Sequence, residues 1–388
     1  MVFPLLLALP WLGVIAFLAF VARPPSELPP ARPRARTSRF VSVIVPARNE
    51  SANIEACIRS ISASAGVDFE IVVVDDRSDD GTADLVRSLG AGNARRLRLV
   101  TGTELPDGWL GKPWACTQGA AVAEGDLLLF TDADTRHGPD LLARAVRGLE
   151  EEDADLLTVM GRQILETFWE RVVQPQIFML MLFRFPRLEP MARSANWRNA
   201  IANGQYMLFP RASYEAHGGH AAVRDEVAED LALAQHVKRS GGKLRIRAAQ
   251  TDLGTRMYRS LPHMIEGWSK NLVMGGLQSV PPWLRLVTLP LSLLTGVTLW
   301  LAPPMVLVAA LAGVGGMGLL TWSVVATGLS AAIWTAFSRL MGVPAAYGLL
   351  YPLGAAMGTY IFVRSWVRGR EVEWKGRRYT LPPVSSRP

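Results

Sequence analysis

The chain has 388 residues, enough for two or three domains. Apolar residues make up 49% and charged residues 19%, which excludes a disordered chain and fits part of it lying in lipid. The basic excess is 41 − 34, or +7, and its arginines cluster beside apolar segments, which points to a membrane surface rather than to nucleic acid. The two cysteines, Cys57 and Cys116, exclude a disulfide framework or a cysteine-built zinc site.

Residues 1–22 carry no charge, the length of a transmembrane helix. The positive charges follow it, at Arg23, Arg32, Arg34, Arg36 and Arg39. That order argues against a cleaved signal peptide and places the next domain in the cytoplasm. Residues 23–38 read as a stiff Pro/Arg-rich linker.

Residues 39–260 alternate strand and helix patterns. Strands are expected at Phe40–Val45, Glu70–Val74, Leu97–Val100 and Asp126–Thr131. Helices are expected over Ser51–Ser64, Gly81–Leu89, Lys112–Ala123 and Pro139–Leu149, the last with proline in its first turn. Near-continuous apolar strands separated by helices predict an α/β domain with a mostly parallel sheet covered on both faces. Ligands bind such sheets at the carboxyl ends of the strands. Residues 163–185 read either as an interfacial amphipathic helix or as a core helix.

Residues 261–283 form an interfacial segment. Residues 284–363 hold about three transmembrane helices: Leu286–Ala312, Met317–Phe337 and Val343–Val363. Pro303-Pro304 are expected to kink the first or end it early. Residues 364–388 are a basic cytoplasmic tail. One N-terminal and three C-terminal crossings would leave that tail outside. One segment is therefore expected to be re-entrant or interfacial, or the first to split at its prolines.

Three acidic points follow strands or open helices. Asp75-Asp76 begins DDRSDDGT; it suits a turn and helix cap or an acceptor for base and ribose donors. Asp132-Ala-Asp134 follows an apolar strand and supplies half of a Mg²⁺ or Mn²⁺ site, with phosphates able to complete it. Glu229-Asp230 opens a helix pattern, as dipole partners or with one carboxylate as general base. The chain contains no P-loop, no GxGxxG and no HExxH.

In order and spacing, these segments resemble family 2 glycosyltransferases with a GT-A fold. The carrying residues are VSVIVPARNE (41–50), VVVDDRSDDGT (72–82), GWLGKPWACTQGAAVAEGDLLLFTDADT (108–135), NGQYMLFPR (203–211), GGH (218–220) and AED (228–230). The GWLGKPWAC stretch, GWSKN (267–271) and EWKGRRY (373–379) look most like the membrane-bound branch that glycosylates carotenoid acids or accompanies hopanoid genes.

The resemblance implies that Pro46, Arg48, Glu50 and Asp76 line the nucleotide site, with Asp75 beside them and Lys112 near. It implies that Asp132 binds the sugar nucleotide, Asp134 a divalent cation (Mg²⁺ or Mn²⁺), and Asp230 the acceptor proton as base. Trp268 falls at the acceptor site. There HMIEGW (263–268) departs from the QxxRW motif of processive polymer synthases, and Arg136, in DADTR, is no cation ligand.

The implied activity is inverting transfer from a nucleotide-diphosphate sugar, in particular a UDP-sugar, to a lipid such as a carotenoid or other isoprenoid. The implied place is the cell (inner/plasma) membrane, multi-pass, with the catalytic domain cytoplasmic. The implied partners are the donor, the lipid acceptor and membrane lipid, and no nucleic acid. The rival readings are a polyprenyl-phosphate sugar synthase and a non-catalytic membrane scaffold.

Overall fold

The most apolar runs of the central region become the middle of one sheet. In the computed structural model, which describes residues 7–21, 23–31, 39–369, 371–375 and 377–380, ten strands belong to this region. They are β1 (Phe40–Ala47), β2 (Asp68–Asp75), β3 (Leu97–Thr101), β4 (Leu127–Phe130), β5 (Thr135–His137), β6 (Leu156–Met160), β7 (Arg162–Gln163), β8 (Met207–Pro210), β9 (Leu244–Ala248) and β10 (Leu253–Thr255). Seven form a sheet in the order β3-β2-β1-β4-β8-β6-β9. β8 runs antiparallel to both neighbours, and the other pairings are parallel. β1 and β2 are almost wholly buried because helices cover both faces of the sheet. One face packs Val43, Ile71 and Leu129 against the helices Ile54–Ser62 and Leu141–Glu151. The other packs Ile44, Val72 and Phe130 against Gly111–Val122 and Glu229–Arg239.

The strand order reverses between β1 and β4, so the chain leaves that point in opposite directions and opens a crevice at the carboxyl ends. A three-stranded sheet, β5-β10-β7, sits beside it, and β5 holds the chain just after Asp134 antiparallel to β10. Pro139 lies two residues before its helix, which begins at Leu141, not in its first turn as expected. Ser51–Asn53 likewise form a turn, and the helix after β1 starts at Ile54. Residues 23–31 are docked on the sheet edge: the Leu28 N–H donates to the Ala248 carbonyl at 2.9 Å, and Arg144 donates to the Leu28 carbonyl at 2.7 Å.

Among the described residues, three helices are long and apolar enough to cross a membrane: Pro282–Leu311, Met317–Leu340 and Ala345–Arg368. Pro303-Pro304 do not end the first. A π-turn over Val297–Leu301 precedes them and gives the extra room that proline rings need inside a helix. The N-terminal helix Leu9–Val21 has 13 residues, about 20 Å at 1.5 Å per residue. It packs on Met317–Leu340: the Trp11 indole N–H donates to Ser330 Oγ at 2.7 Å and its ring lies edge-on to Trp322.

The helix Phe168–Arg184 opens with a capping box between Thr167 and Glu170. It does not lie with one open face. It packs Val172, Val173 and Ile177 against Trp268 and Ile361, and Met179 against Trp334 and Ala355. At Gly354 the contact is so close that a Cβ would meet the Val172 carbonyl oxygen at 2.6 Å. After the last helix, β11 (Glu371–Trp374) and β12 (Arg377–Thr380) form a separate antiparallel hairpin. Residues 381–388 of the expected basic tail, residues 1–6, and Arg32, Arg34 and Arg36 lie outside the described residues.

Candidate active site

Loops at the carboxyl ends of β1, β2 and β4 converge because those strands are neighbours. The loops after β1 and β2 interlock. Asn49 and Arg77 both take left-handed backbone conformations (φ 53° and 57°), which non-glycine residues adopt at a cost. The Asn49 N–H donates to Ser78 Oγ at 3.0 Å, and the Asp79 N–H donates back to Asn49 Oδ1 at 3.1 Å. The helix-start role goes to Asp80, whose carboxylate accepts from Thr82 N–H (3.1 Å) and Ser51 N–H (2.9 Å). Burial alone would raise its pKa, but the Thr82 and Ser51 hydrogen bonds outweigh that and pull it to about 2. Asp76 is therefore not needed as a cap. Asp75 accepts one turn contact from the Ser78 N–H at 3.3 Å, and its Oδ1 is buried without a partner.

A cavity of about 1130 Å³ opens over these loops. Pro46, Arg48, Glu50, Lys112, Asp132, Asp134, Asp230 and Trp268 all line it. Asp75 and Asp76 do not; they sit behind the wall, both buried. Asp76 is instead clamped by Arg377 of the C-terminal hairpin.

Lys112, on the helix Gly111–Val122, bridges Asp132 (2.7 Å) and Glu229 (2.6 Å). Burial alone would depress the ammonium, but the two carboxylates outweigh it and hold its pKa well above the usual range. Burial and then the nearby Asp132 and Glu50 carboxylates push Asp134 well above the ordinary carboxylate range. Asp134 Oδ1 is buried with no hydrogen-bond partner. A crowded, unpartnered carboxylate oxygen beside two more carboxylates is the donor chemistry of a hard divalent cation. Among the described residues no group of three or more acidic, histidine or cysteine side chains is placed to hold a metal by itself, so ligand oxygens would have to complete the shell.

Asp230 opens the helix Glu229–Arg239. Its Oδ2 accepts from the Gly204 N–H at 2.9 Å and its Oδ1 from the Leu231 N–H at 2.7 Å. Burial, then the Glu229 charge, raise its pKa to about 6, near the range suited to a general base. Glu229 points away, to Lys112. Trp268 is fixed by donating its indole N–H to Gln174 Oε1 at 2.9 Å, edge-on to Phe178 and Tyr258. The cavity lining also includes the apolar side chains Phe178, Leu180, Met181, Leu289 and Phe362.

Three members of this site carry no role in the sequence reading. Gly204, in the NGQYMLFPR stretch, lets the backbone approach Asp230; a Cβ there would meet Asp230 Oδ2 at 2.9 Å. We expect Gly204→Ala to displace that carboxylate and lower turnover roughly tenfold or more, since small misplacements of catalytic groups are costly, with thermal stability changed far less; paired turnover and melting measurements check it. Lys270, in GWSKN, lines the cavity, and burial lowers its pKa to about 8. The hairpin residue Lys375 lines it as well. Their stretches were visible in the sequence, but the folding that aims them here was not.

Residues 42–218 match the family described as Glycosyl transferase family 2. With the sheet and crevice above, the matched region is a family 2 glycosyltransferase domain with a GT-A fold, and this match supports an enzymatic function. The chain is related to staphylococcal carotenoid-acid glycosyltransferases. It is 26% identical to the 4,4'-diaponeurosporenoate glycosyltransferase of Staphylococcus aureus (strain USA300), over 90% of this chain and 91% of that protein. It is likewise 26% identical to the protein of that name in Staphylococcus haemolyticus (strain JCSC1435), over 65% of this chain and 66% of the relative. The fold is shared with a mannosyltransferase of Pyrobaculum calidifontis solved with GDP-Man and Mn²⁺ (TM-score 0.52, 20% identity, 94% of each chain).

Proposed function

We propose that this membrane glycosyltransferase transfers a hexose, with inversion, from a UDP-sugar to the head of an isoprenoid lipid such as a carotenoid. The observation that carries the reading is the continuity of the cavity. Its lining holds Glu50, Asp132, Asp134 and Asp230 together with apolar side chains of the helix Phe168–Arg184 (Phe178, Leu180, Met181) and of the long C-terminal helices (Leu289, Phe362). A polar donor and an apolar acceptor can meet only in a cavity of that kind. The staphylococcal relatives, whose names specify an apolar acid, support the acceptor class.

In this reading the acceptor oxygen attacks the anomeric carbon opposite the diphosphate. The C–O bond to the diphosphate breaks as the new glycosidic bond forms. Asp230, aimed by Gly204 and Leu231 amides, takes the acceptor proton. Lys112 holds Asp132 and Glu229 in place. Asp134, with donor oxygens completing the shell, would hold a divalent cation, Mg²⁺ or Mn²⁺. Such an ion supplies neutralisation of the charge developing on the leaving diphosphate. Trp268 lines the same cavity.

The same reading gives a membrane topology. The last helix begins after Leu340–Gly342, which line the cavity, and ends where Arg368 pairs with Glu266. The hairpin after it touches the β1 and β2 loops. Both ends thus face the catalytic domain, and an even number of crossings must separate that domain from the tail. We assign the crossings to Pro282–Leu311 and Met317–Leu340, and an interfacial position to Ala345–Arg368. By the positive-inside rule the catalytic side is cytoplasmic.

Lipid extracts of a host with and without the chain, after feeding labelled UDP-glucose, test the function. A labelled, alkali-sensitive or neutral glycolipid that appears only with the chain is expected. A lipid phosphate sugar would instead indicate a polyprenyl-phosphate synthase, and no labelled lipid with any of the common nucleotide sugars would overturn the reading.

A further inference from the structure

The C-terminal hairpin has no strand partner outside itself among the described residues, yet it is fastened to the active-site loops. Arg377 holds both oxygens of the Asp76 carboxylate, at 2.6 and 3.1 Å. Lys375 pairs with Glu50 at 3.0 Å and donates to the Asn49 carbonyl at 2.9 Å. Arg48 donates through Nε to the Lys375 carbonyl at 3.1 Å, and its Nη1 is spent on the Asp76 and Arg77 carbonyls. Lys375 itself takes a left-handed conformation (φ 48°) at the hairpin turn.

These contacts fall on the rim of the crevice where β1 and β2 end, the half of such a site that receives a nucleoside. Asp76, Glu50, the Asn49 carbonyl and Arg48 Nε there are already engaged by the hairpin. Asp76 is 1% exposed, so a base or ribose donor cannot reach it while Arg377 stays. The attachment is ionic and partly solvated. It can therefore be exchanged for another ligand without unfolding the sheet.

We propose that the C-terminal hairpin is an internal occupant of the nucleoside half of the donor site, so that hairpin docking and nucleoside diphosphate binding exclude each other. The inference rests on the donor-site reading above. Its consequence is that the resting enzyme is closed and the donor opens it. Apparent donor affinity is then the intrinsic affinity scaled by the open fraction.

The experiment uses the full-length protein in nanodiscs, with UDP or GDP plus Mn²⁺ as probes. Hydrogen exchange over residues 371–380 should rise when nucleotide binds. The double variant Lys375→Ala, Arg377→Ala alters nothing in the sheet or helices. It should bind nucleotide about tenfold more tightly, the change expected if about nine molecules in ten are closed. Weaker or unchanged binding by the variant, or hairpin protection that holds or grows with nucleotide, would overturn the proposal while leaving the donor site standing. Failure of both proteins to bind either nucleotide would overturn the donor-site reading and this inference with it.

Discussion

Replacing Asp230 by asparagine should cut transfer to a hydroxyl acceptor by ~10²-fold or more, the scale of a positioned base, with donor affinity nearly unchanged. The geometry sharpens what this variant tests. The aspartate accepts two backbone N–H bonds, from Gly204 and Leu231. An amide can accept one through its oxygen, but its NH₂ would face the other donor, so a modest loss of order at Gly204 accompanies the lost base. UDP affinity is the control for that disorder. The pH profile separates the roles further. A base works deprotonated, and Asp230 is raised to about 6 by burial and Glu229. The wild-type single-turnover rate should therefore fall about tenfold per unit below pH 6 and level off above it. The residual rate of the variant should lack that limb. A carboxylate acceptor carries no proton to remove, so with it the same variant should lose little. A wild-type rate that is flat across pH 5–7 with a hydroxyl acceptor would remove Asp230 from the base role.

Asp134→Asn should abolish measurable turnover, a loss of roughly 10²–10³-fold or more for removing a group that organises leaving-group charge, yet should not destabilise the protein. The carboxylate is buried beside Asp132 and Glu50 and pushed well above its ordinary range. Its folded pKa lies above its unfolded one, so its contribution to stability is full at low pH and is lost as pH rises through the folded value. At neutral pH without metal the asparagine variant should melt at the same temperature or higher. Added Mn²⁺ should raise the melting temperature of the wild type and not of the variant. Full activity of the wild type in excess EDTA would overturn the metal role. Stability traded for charge crowding at this point is what the proposed ion and diphosphate site would require.

Much of the sheet was legible because its signal is local. β1, β2, β3 and β4 are apolar, β-branched or leucine runs bounded by turn residues, and each lies within a residue or two of its expected place. β6 and β9 were not read. LLTVM is short and LRIRA alternates with arginine, and only their pairing with each other and with β8 makes them strands. The three C-terminal helices were legible by length and hydropathy alone. The behaviour of Pro303-Pro304 was not, because a π-turn several residues earlier absorbs them.

Residue type and order were enough to mark Asp132, Asp134 and Glu229-Asp230 as candidates, and the family resemblance added Glu50, Lys112 and Trp268. That reading owed as much to the whole motif series as to any one carboxylate. The tertiary structure decided which of them meet. Asp76 was marked for the same pocket, but it lies behind the wall and is held by Arg377, 301 residues away in sequence. Glu229 and Asp230 are neighbours in sequence with different partners, because one side chain reaches Lys112 and the other the Gly204 amide. Sequence alone determines which segments are apolar, which turn and which carry charge, since those depend on a few adjacent residues. Which charges share a low-dielectric cavity depends on how distant segments pack, and that packing gives a carboxylate its task.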